Sequence, residues 1–180
     1  KEIRVDGKLL SDRRDLLGRV LTVSVVQQDM ELITGFPEAR RRFFDQTLGL
    51  CDLGFLEVLR DYRRILRARN RALKSRHVDL LELYDVQLAP LGITITDRRS
   101  QLVRAINDIF VPLFQGIDGG GEALQIRHVP SWRGFSDTGA VLAAFAFSRA
   151  RALVFGTTTT GPHRDTFLYV LNGRDYTRRA

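Results

Sequence analysis

The segment at residues 53–76 constrains the fold most, because its pattern fits only a helix with one buried face. Its apolar residues recur every three, four or seven positions, at Phe55, Leu59, Tyr62, Leu66 and Leu73. This is the period of an amphipathic helix. A shorter helix is predicted before it, starting at Pro37, because the first turn of a helix accepts a residue without an N–H. The break between the two helices is expected at residues 50–52.

The positive charge of the chain is concentrated on the second of these helices. The whole chain has a net charge of +7, and residues 60–76 carry eight basic residues and one acid, which also nets +7. Because a helix turns about 100° per residue, six of these side chains fall within an arc of about 100°. They are Arg60, Arg63, Arg64, Arg67, Arg71 and Lys74, called the basic arc below. Arg69 and Arg76 are predicted on the opposite flank of the apolar stripe.

Two interpretations of the basic arc stay open. Arginine binds phosphate bidentately, and a local basic face indicates nucleic-acid binding. Alternatively, the arc is a solvated face partly neutralised by Glu57 with Arg60 and Asp61 with Arg64, three residues apart. Arginine makes up 25 of the 28 basic residues, and GC-rich codons would produce the same bias.

The first 35 residues carry strand and turn patterns. Asp6-Gly7 predicts a hairpin between residues 1–5 and 8–10. A short helix is expected at residues 11–17 and a buried strand at 20–26. The polar residues Gln27, Gln28 and Asp29 follow at the C-terminal end of this predicted strand. In α/β folds, ligands bind at such strand ends. The simpler alternative is a helix at residues 30–33 that Asp29 opens.

Further helices and strands are predicted in the rest of the chain. One helix is expected from Asp79 to residue 89, ended by Pro90 and Gly92. Another is expected to begin at residue 96 or 97 and to end or kink at Pro112, with its stripe at Leu102, Ile106, Ile109 and Phe110. Residues 124–129 and 166–171 are predicted strands, residues 140–149 a helix capped at 137 or 138, and Asn172-Gly173 a turn. The fold class expected is α+β, mainly α, with a head region at residues 1–35, a helical hairpin or bundle at 36–122 and a return to the head at 123–180.

The sequence lacks the motifs of several site classes. It contains no G-x-x-x-x-G-K-[ST] motif and no Cys/His metal spacing, and its single cysteine excludes an internal disulfide. Because no apolar run reaches the ~20 residues of a membrane-spanning helix, no membrane partner is expected. His163, Arg164 and Asp165 share a glycine-led turn. These side chains could contact a phosphate or orient a partner residue, or they could form a local ion pair.

The chain resembles the RecF family of bacterial recombinational repair proteins in three stretches, which cover nearly its whole length. The first contains Asp29, Gly35, Pro37, Arg40, Arg41, Arg42, Phe43 and Asp45; the second is residues 62–70; and the third is Gly161, Pro162, His163, Arg164 and Asp165 with Asn172 and Gly173. RecF proteins are ABC-type ATPases related to SMC heads, with a helical arm inserted in the head. The chain is expected to be an excised fragment, namely this arm plus adjoining head strands.

The resemblance implies further properties of the complete protein. Gln27 or Gln28 would sense ATP and Mg²⁺ as a Q-loop, whereas the P-loop, signature and Walker B motifs would lie outside the chain, leaving it inactive alone. The protein would bind duplex, gapped or junction DNA with ATP, form a homodimer, and act with RecR and RecO to load RecA at gaps. It would be cytoplasmic and associated with the bacterial nucleoid. The alternative is a protein-interaction or structural arm of another SMC-like ATPase.

Overall fold

The computed structural model describes residues 4–5, 7–9, 26–119, 122–135 and 137–177. The predicted helix at residues 11–17 and nearly all of the predicted strand at 20–26 lie outside these residues. The predicted hairpin is confirmed: strands β1 (Arg4–Val5) and β2 (Lys8–Leu9) pair antiparallel. Gly7 between them has a φ of 78°, a left-handed value that favours glycine.

The polar residues Gln27, Gln28 and Asp29 lie in a 3₁₀ turn at Gln27–Met30, which is followed by helix α1 at Glu31–Thr34. The prediction that Asp29 opens a helix at residues 30–33 is therefore wrong in its boundary. Asp29 lies within the turn, and its carboxylate accepts a 2.8 Å hydrogen bond from the backbone N–H of Val26. The carboxylate thus closes the 3₁₀ turn.

The two helices of the central stretch form as the sequence predicts. Helix α2 spans Pro37–Cys51 with Pro37 in its first turn, and helix α3 spans Leu53–Lys74. Asp52 separates them and caps α3, because its carboxylate accepts a hydrogen bond from the N–H of Phe55 at 3.3 Å. Phe55, Leu59, Tyr62 and Leu73 are buried, in agreement with the predicted stripe, and Leu66 is partly buried.

One long helix replaces the two that were predicted at residues 79–112. A 3₁₀ helix at Val78–Leu80 contains Asp79, and helix α4 then runs without interruption over Leu81–Asp118. Pro90 is exposed and lies inside α4, while Leu88, Ala89 and Ile95 around it are fully buried. Burial of these neighbours outweighs the one hydrogen bond that a proline removes. Ile109, predicted in the buried stripe, is 65% exposed.

The second half of the chain adds a sheet and a last helix. Strand β3 (Leu124–Val129) pairs with β4 (Thr166–Leu171), and β4 pairs with β5 (Arg174–Asp175), all antiparallel. Helix α5 (Thr138–Phe155) is capped at its N-terminus by Asp137. It extends beyond the predicted end at residue 149 and ends at Gly156, which adopts the left-handed conformation typical of helix C-termini. Among the described helices, α5 alone is long and apolar enough to cross a membrane by length and composition, which is weak evidence for a span.

Three apolar clusters hold these elements together. The largest joins α3, α4 and α5 around Trp132 and Phe145. A second joins α2, α4 and the sheet through Phe44, Val103, Ile126 and Phe167, and the rings of Phe44 and Phe167 stack with centroids 4.0 Å apart. A third packs the α3–α4 turn against α5. The fold is α+β and mainly helical, as predicted.

Candidate nucleic-acid interface

The basic arc lies on the solvent side of α3. All six of its side chains are exposed. Arg64 lies 3.4 Å from Asp61, and Arg63 lies 3.2 Å from Asp45. In the described part of the chain, Arg60, Arg67, Arg71 and Lys74 form no ion pair. The local acids therefore neutralise only part of the arc.

Arg69, predicted on the opposite flank of the apolar stripe from the basic arc, does not lie at the surface. It is fully buried, forms an ion pair with Asp85 of α4, and donates to the Thr158 hydroxyl at 3.0 Å. Its guanidinium lies 4.6 Å above the ring of Phe145. A buried arginine requires such a partner. The signal in the sequence is Asp85, which falls on the same helical face as Leu81 and Leu88 and is buried with them.

A cleft of about 510 Å³ opens between α2, α3, α4 and the turn at residues 161–164. Its charged lining consists of four arginines and two acids, namely Arg41, Arg42, Arg63, Arg99, Glu38 and Asp45. Its remaining lining is Leu59, Tyr62, Leu66, Ile95, Pro162 and His163. Arg63 belongs both to the cleft and to the basic arc, so the two basic regions are continuous.

Arg99 of α4 connects the cleft to the rest of the molecule. Its guanidinium donates to the Asp45 carboxylate at 3.0 Å, to the Asp165 carboxylate at 2.9 Å and to the Pro162 carbonyl at 2.7 Å. Asp165 also accepts from the His128 ring at 3.0 Å and from the Ser131 N–H at 2.8 Å. Arg99, Asp45 and Asp165 are all buried. Two residues of the family-like motifs, Asp45 and Asp165, are thus held in one buried ion-pair network.

The turn at residues 161–165 distributes its side chains among different partners. The His163 ring accepts a hydrogen bond from the Tyr62 hydroxyl at 2.8 Å and donates to the Thr158 carbonyl at 3.0 Å. Arg164 also donates to Thr158, at 3.3 Å, and Asp165 pairs with Arg99. The local ion pair considered from sequence is therefore replaced by a long-range one. Burial lowers the pKa of His163 to about 4, so the ring is neutral at pH 7.

The arginines at the start of α2 have different environments. Arg40 is buried and donates to the carbonyls of Ile33 and Gly35 at 3.2 and 2.9 Å, which caps α1. Arg41 is half-buried and donates to the Asp165 carbonyl at 2.8 Å. Burial, followed by the nearby charge of Arg99, lowers the pKa of Arg41. Arg42 is exposed and forms no ion pair with any described residue.

Gln27 and Gln28, the predicted nucleotide-sensing residues, lie in the 3₁₀ turn before α1, and Gln27 is exposed. Among the described residues, no three His, Cys, Asp or Glu side chains gather into a group that could hold a metal ion. The described residues therefore do not form a complete Mg²⁺ site by themselves, and a glutamine amide at this turn could add a single oxygen ligand.

The curated relatives and the solved structures reported below share one name, RecF. No protein-family model matches the chain. The RecF protein of Treponema pallidum is 31% identical over 165 residues, covering 92% of this chain and 46% of the relative. RecF of Citrifermentans bemidjiense is 31% identical over 179 residues, covering 97% of this chain and 49% of the relative. A solved structure of the recombination mediator protein RecF with ATPrS superposes with a TM-score of 0.85 at 26% identity, over 98% of this chain and 50% of that one.

The chain is RecF-like. A second solved structure, RecF with ATP, gives a TM-score of 0.83 at 25% identity. The RecF-like chain spans about half the length of the curated relatives it matches. The resemblance predicted from the sequence motifs is therefore confirmed, and the chain shares the fold of the half of RecF that it matches.

Proposed function

We propose that this chain is part of a RecF-like DNA repair protein and that the basic arc of α3 contacts the DNA backbone. The observation that carries the proposal is the exposure of all six basic side chains on one face of helix α3. Contacts of this kind are made to phosphates and do not depend on base sequence. The buried side of α3 packs on α4 and α5, which holds the arc in place.

Electrostatics favour DNA over a purely solvated face. Asp61 pairs with only one of the six cations, Arg64. Because an exposed ion pair of this kind contributes little to stability, stabilisation of α3 does not account for a face with this much positive charge. Arginine side chains carry their charge at any physiological pH and present a planar fork to phosphate. A polyanion would release its counterions on binding this face, and that release is the main driving force of non-specific DNA binding.

We propose that the complete protein uses ATP, because RecF has been solved with ATP and with ATPrS. In that protein Gln27 or Gln28 would sense the bound nucleotide and Mg²⁺. It would form a homodimer on DNA and act in the cytoplasm, at the nucleoid, with RecR and RecO to load RecA at gaps. This chain alone would not hydrolyse ATP, because its sequence contains no P-loop motif.

The test is fluorescence anisotropy of the chain with labelled duplex, single-stranded and gapped DNA at two salt concentrations. An Arg64→Glu/Arg67→Glu variant changes two exposed residues of the arc and leaves the Arg63–Asp45 pair intact. We expect binding that weakens steeply with salt and a salt slope shallower by about 2 in the variant, since each lost phosphate contact removes about one unit.

An Arg127→Glu/Arg151→Glu variant is the matched control, because it makes the same charge change on β3 and α5. Equal losses of DNA affinity in both variants would mean that binding depends only on the net charge of the chain, and would reject the basic arc as a specific DNA contact. No binding at low salt would also reject the arc as a DNA contact. The arc would then be a docking surface for an acidic protein partner, or a solvated face of a structural arm.

A further inference from the structure

The cleft between α2, α3 and the turn at residues 161–164 is not explained by backbone contacts along the arc. Its volume of about 510 Å³ lies in the range of small-ligand sites, about 300–1,000 Å³. It is concave, whereas the arc is a convex helix face. A cleft of this kind surrounds a single chemical group instead of following a strand.

The charges of the cleft favour an anion. Four arginines and two acids line it, which leaves two positive charges in excess. In the buried wall Arg99 pairs with both Asp45 and Asp165, and Asp45 also pairs with Arg63, so these two cations and two carboxylates balance. The net positive charge that remains lies on Arg41 and Arg42, opposed by Glu38. Since nearby positive charge contributes to the lowered pKa of Arg41, an anion beside it would relieve that repulsion.

The rest of the lining is apolar or neutral, and this narrows the chemistry further. Leu59, Leu66, Ile95 and Pro162 line the same cleft, and His163 beside them is neutral because burial lowers its pKa to about 4. An inorganic anion would leave this apolar wall without a partner. A ligand with a phosphate at one end and a ring at the other would satisfy both walls.

We propose that this cleft binds one nucleotide unit, with Arg41, Arg42 and Arg63 on its phosphate and the apolar wall against its sugar or base. The nucleotide could come from a DNA strand or from the free nucleotide pool, and both sources share this chemistry. The inference rests on the proposed function only for its preferred source, the DNA held by the arc. Arg63 is the residue that would join the two sites.

The first test uses the chain with dTMP and with inorganic phosphate, followed through the arginine Nε–H signals in ¹H–¹⁵N spectra. We expect saturable shifts confined to Arg41, Arg42 and Arg63, at concentrations roughly tenfold lower for dTMP than for phosphate, since the ring adds apolar contact. An Arg42→Gln/Arg63→Gln variant would lose these shifts. Shifts that do not saturate, or that are equal across all exposed arginines, would overturn the site.

We expect the Arg42→Gln/Arg63→Gln variant to fold, because neither substitution leaves a buried charge without a partner. Asp45 keeps its pair with Arg99 when Arg63 is changed, and Arg42 has no ion-pair partner among the described residues. The matched control is Arg64→Gln/Arg67→Gln, which removes the same number of charges from residues of α3 that do not line the cleft. We expect it to retain dTMP binding, and equal losses of dTMP binding in the two variants would reject the cleft.

The second test identifies the source and separates the two proposals. Competition of dTMP against labelled single-stranded DNA should displace the strand partially from the original chain and not from Arg42→Gln/Arg63→Gln. If the arc fails its DNA test while the dTMP shifts saturate, the cleft stands as a free-nucleotide site and the DNA source is overturned. If DNA binds through the arc and dTMP produces no saturable shift, the cleft proposal is rejected and the arc remains.

Discussion

Arg99 is the residue on which the contacts between the helices and the sheet depend most. It bonds Asp45 of α2, Asp165 before β4 and the Pro162 carbonyl from a fully buried position on α4. Both carboxylates lose their main cationic partner when this guanidinium is removed. Uncompensated buried charge is among the most destabilising defects in a protein.

We therefore predict that Arg99→Met lowers the free energy of unfolding by roughly 3–5 kcal/mol, because Asp45 and Asp165 lose their buried partner. Urea unfolding followed by circular dichroism measures this change. The neighbouring Arg98, 51% exposed and 3.7 Å from Asp52, is the control, and Arg98→Met should cost less than about 1 kcal/mol. Similar losses in the two variants would contradict the assignment of the buried network.

The burial of His163 makes stability depend on pH, because it disfavours the protonated ring in the folded state. Burial lowers the pKa of His163 from 6.5 to about 4, so the folded protein resists protonation of this ring more than the unfolded chain does. The stabilisation is fully present above pH 6.5 and is lost as the pH falls toward 4. Between pH 7.5 and 5 the loss is roughly 2 kcal/mol by linkage.

His163→Gln tests this pH dependence, because glutamine retains an acceptor and a donor but does not titrate in this range. The difference in unfolding free energy between the original chain and the variant should shrink by about 2 kcal/mol from pH 7.5 to 5. Urea titrations at both pH values give this difference. A difference that stays constant would mean that His163 is protonated equally in both states.

At the scale of elements, the continuity of α4 is the main departure from the sequence pattern. Pro90 and Gly92 together predict a helix end, and the structure carries the helix through both. Gly92 has a packing role, because a side-chain Cβ at this position would collide with the indole ring of Trp132. The glycine is thus a point of close approach within a helix.

Pro90→Ala should stabilise the protein by about 1–3 kcal/mol, because alanine restores the amide N–H and improves helix propensity at an exposed position. If the chain instead ended a helix at Pro90, the same substitution would be neutral or destabilising. Thermal unfolding distinguishes the two outcomes. Gly92→Ala is the companion variant and should destabilise by about 1–3 kcal/mol through overpacking against Trp132.

At the scale of the whole molecule, the predicted division into residues 1–35, 36–122 and 123–180 stays a prediction. Contacts cross the boundary near residue 122: the Asn107 side chain of α4 bonds both the N–H and the carbonyl of Ile126 in β3, at 2.8 and 2.7 Å. The Arg99 network and the Phe44–Phe167 stack cross it as well. These contacts couple the helices to the sheet.

We expect residues 36–177 to unfold in one cooperative transition, because one network and one apolar cluster join the helices to the sheet. The fluorescence of Trp132, the single tryptophan, reports on the region between β3 and α5, and far-UV circular dichroism reports mainly on the helices. Their urea transitions should coincide. Separate midpoints would show that the helical and sheet regions are independent units.

The features that depend on neighbours along the chain could be predicted from local sequence patterns. The amphipathic stripe and basic arc of α3, the start of α2 at Pro37, strands β3 and β4, and the turn at Asn172-Gly173 all follow from local periodicity and turn chemistry. The family resemblance could also be predicted, because its motifs are short and contiguous.

The features that depend on partners far apart in the chain became visible only in the folded molecule. Arg69 is buried because Asp85 and Thr158 accept its hydrogen bonds. Arg99 is buried because it pairs with both Asp45 and Asp165. Helix α4 continues through Pro90 because the residues around this proline are buried. A local pattern can place Asp85 on a buried helical face, but it does not specify which distant residue pairs with it. A buried charge or an interrupted helix is stable only when packing brings its distant partners together.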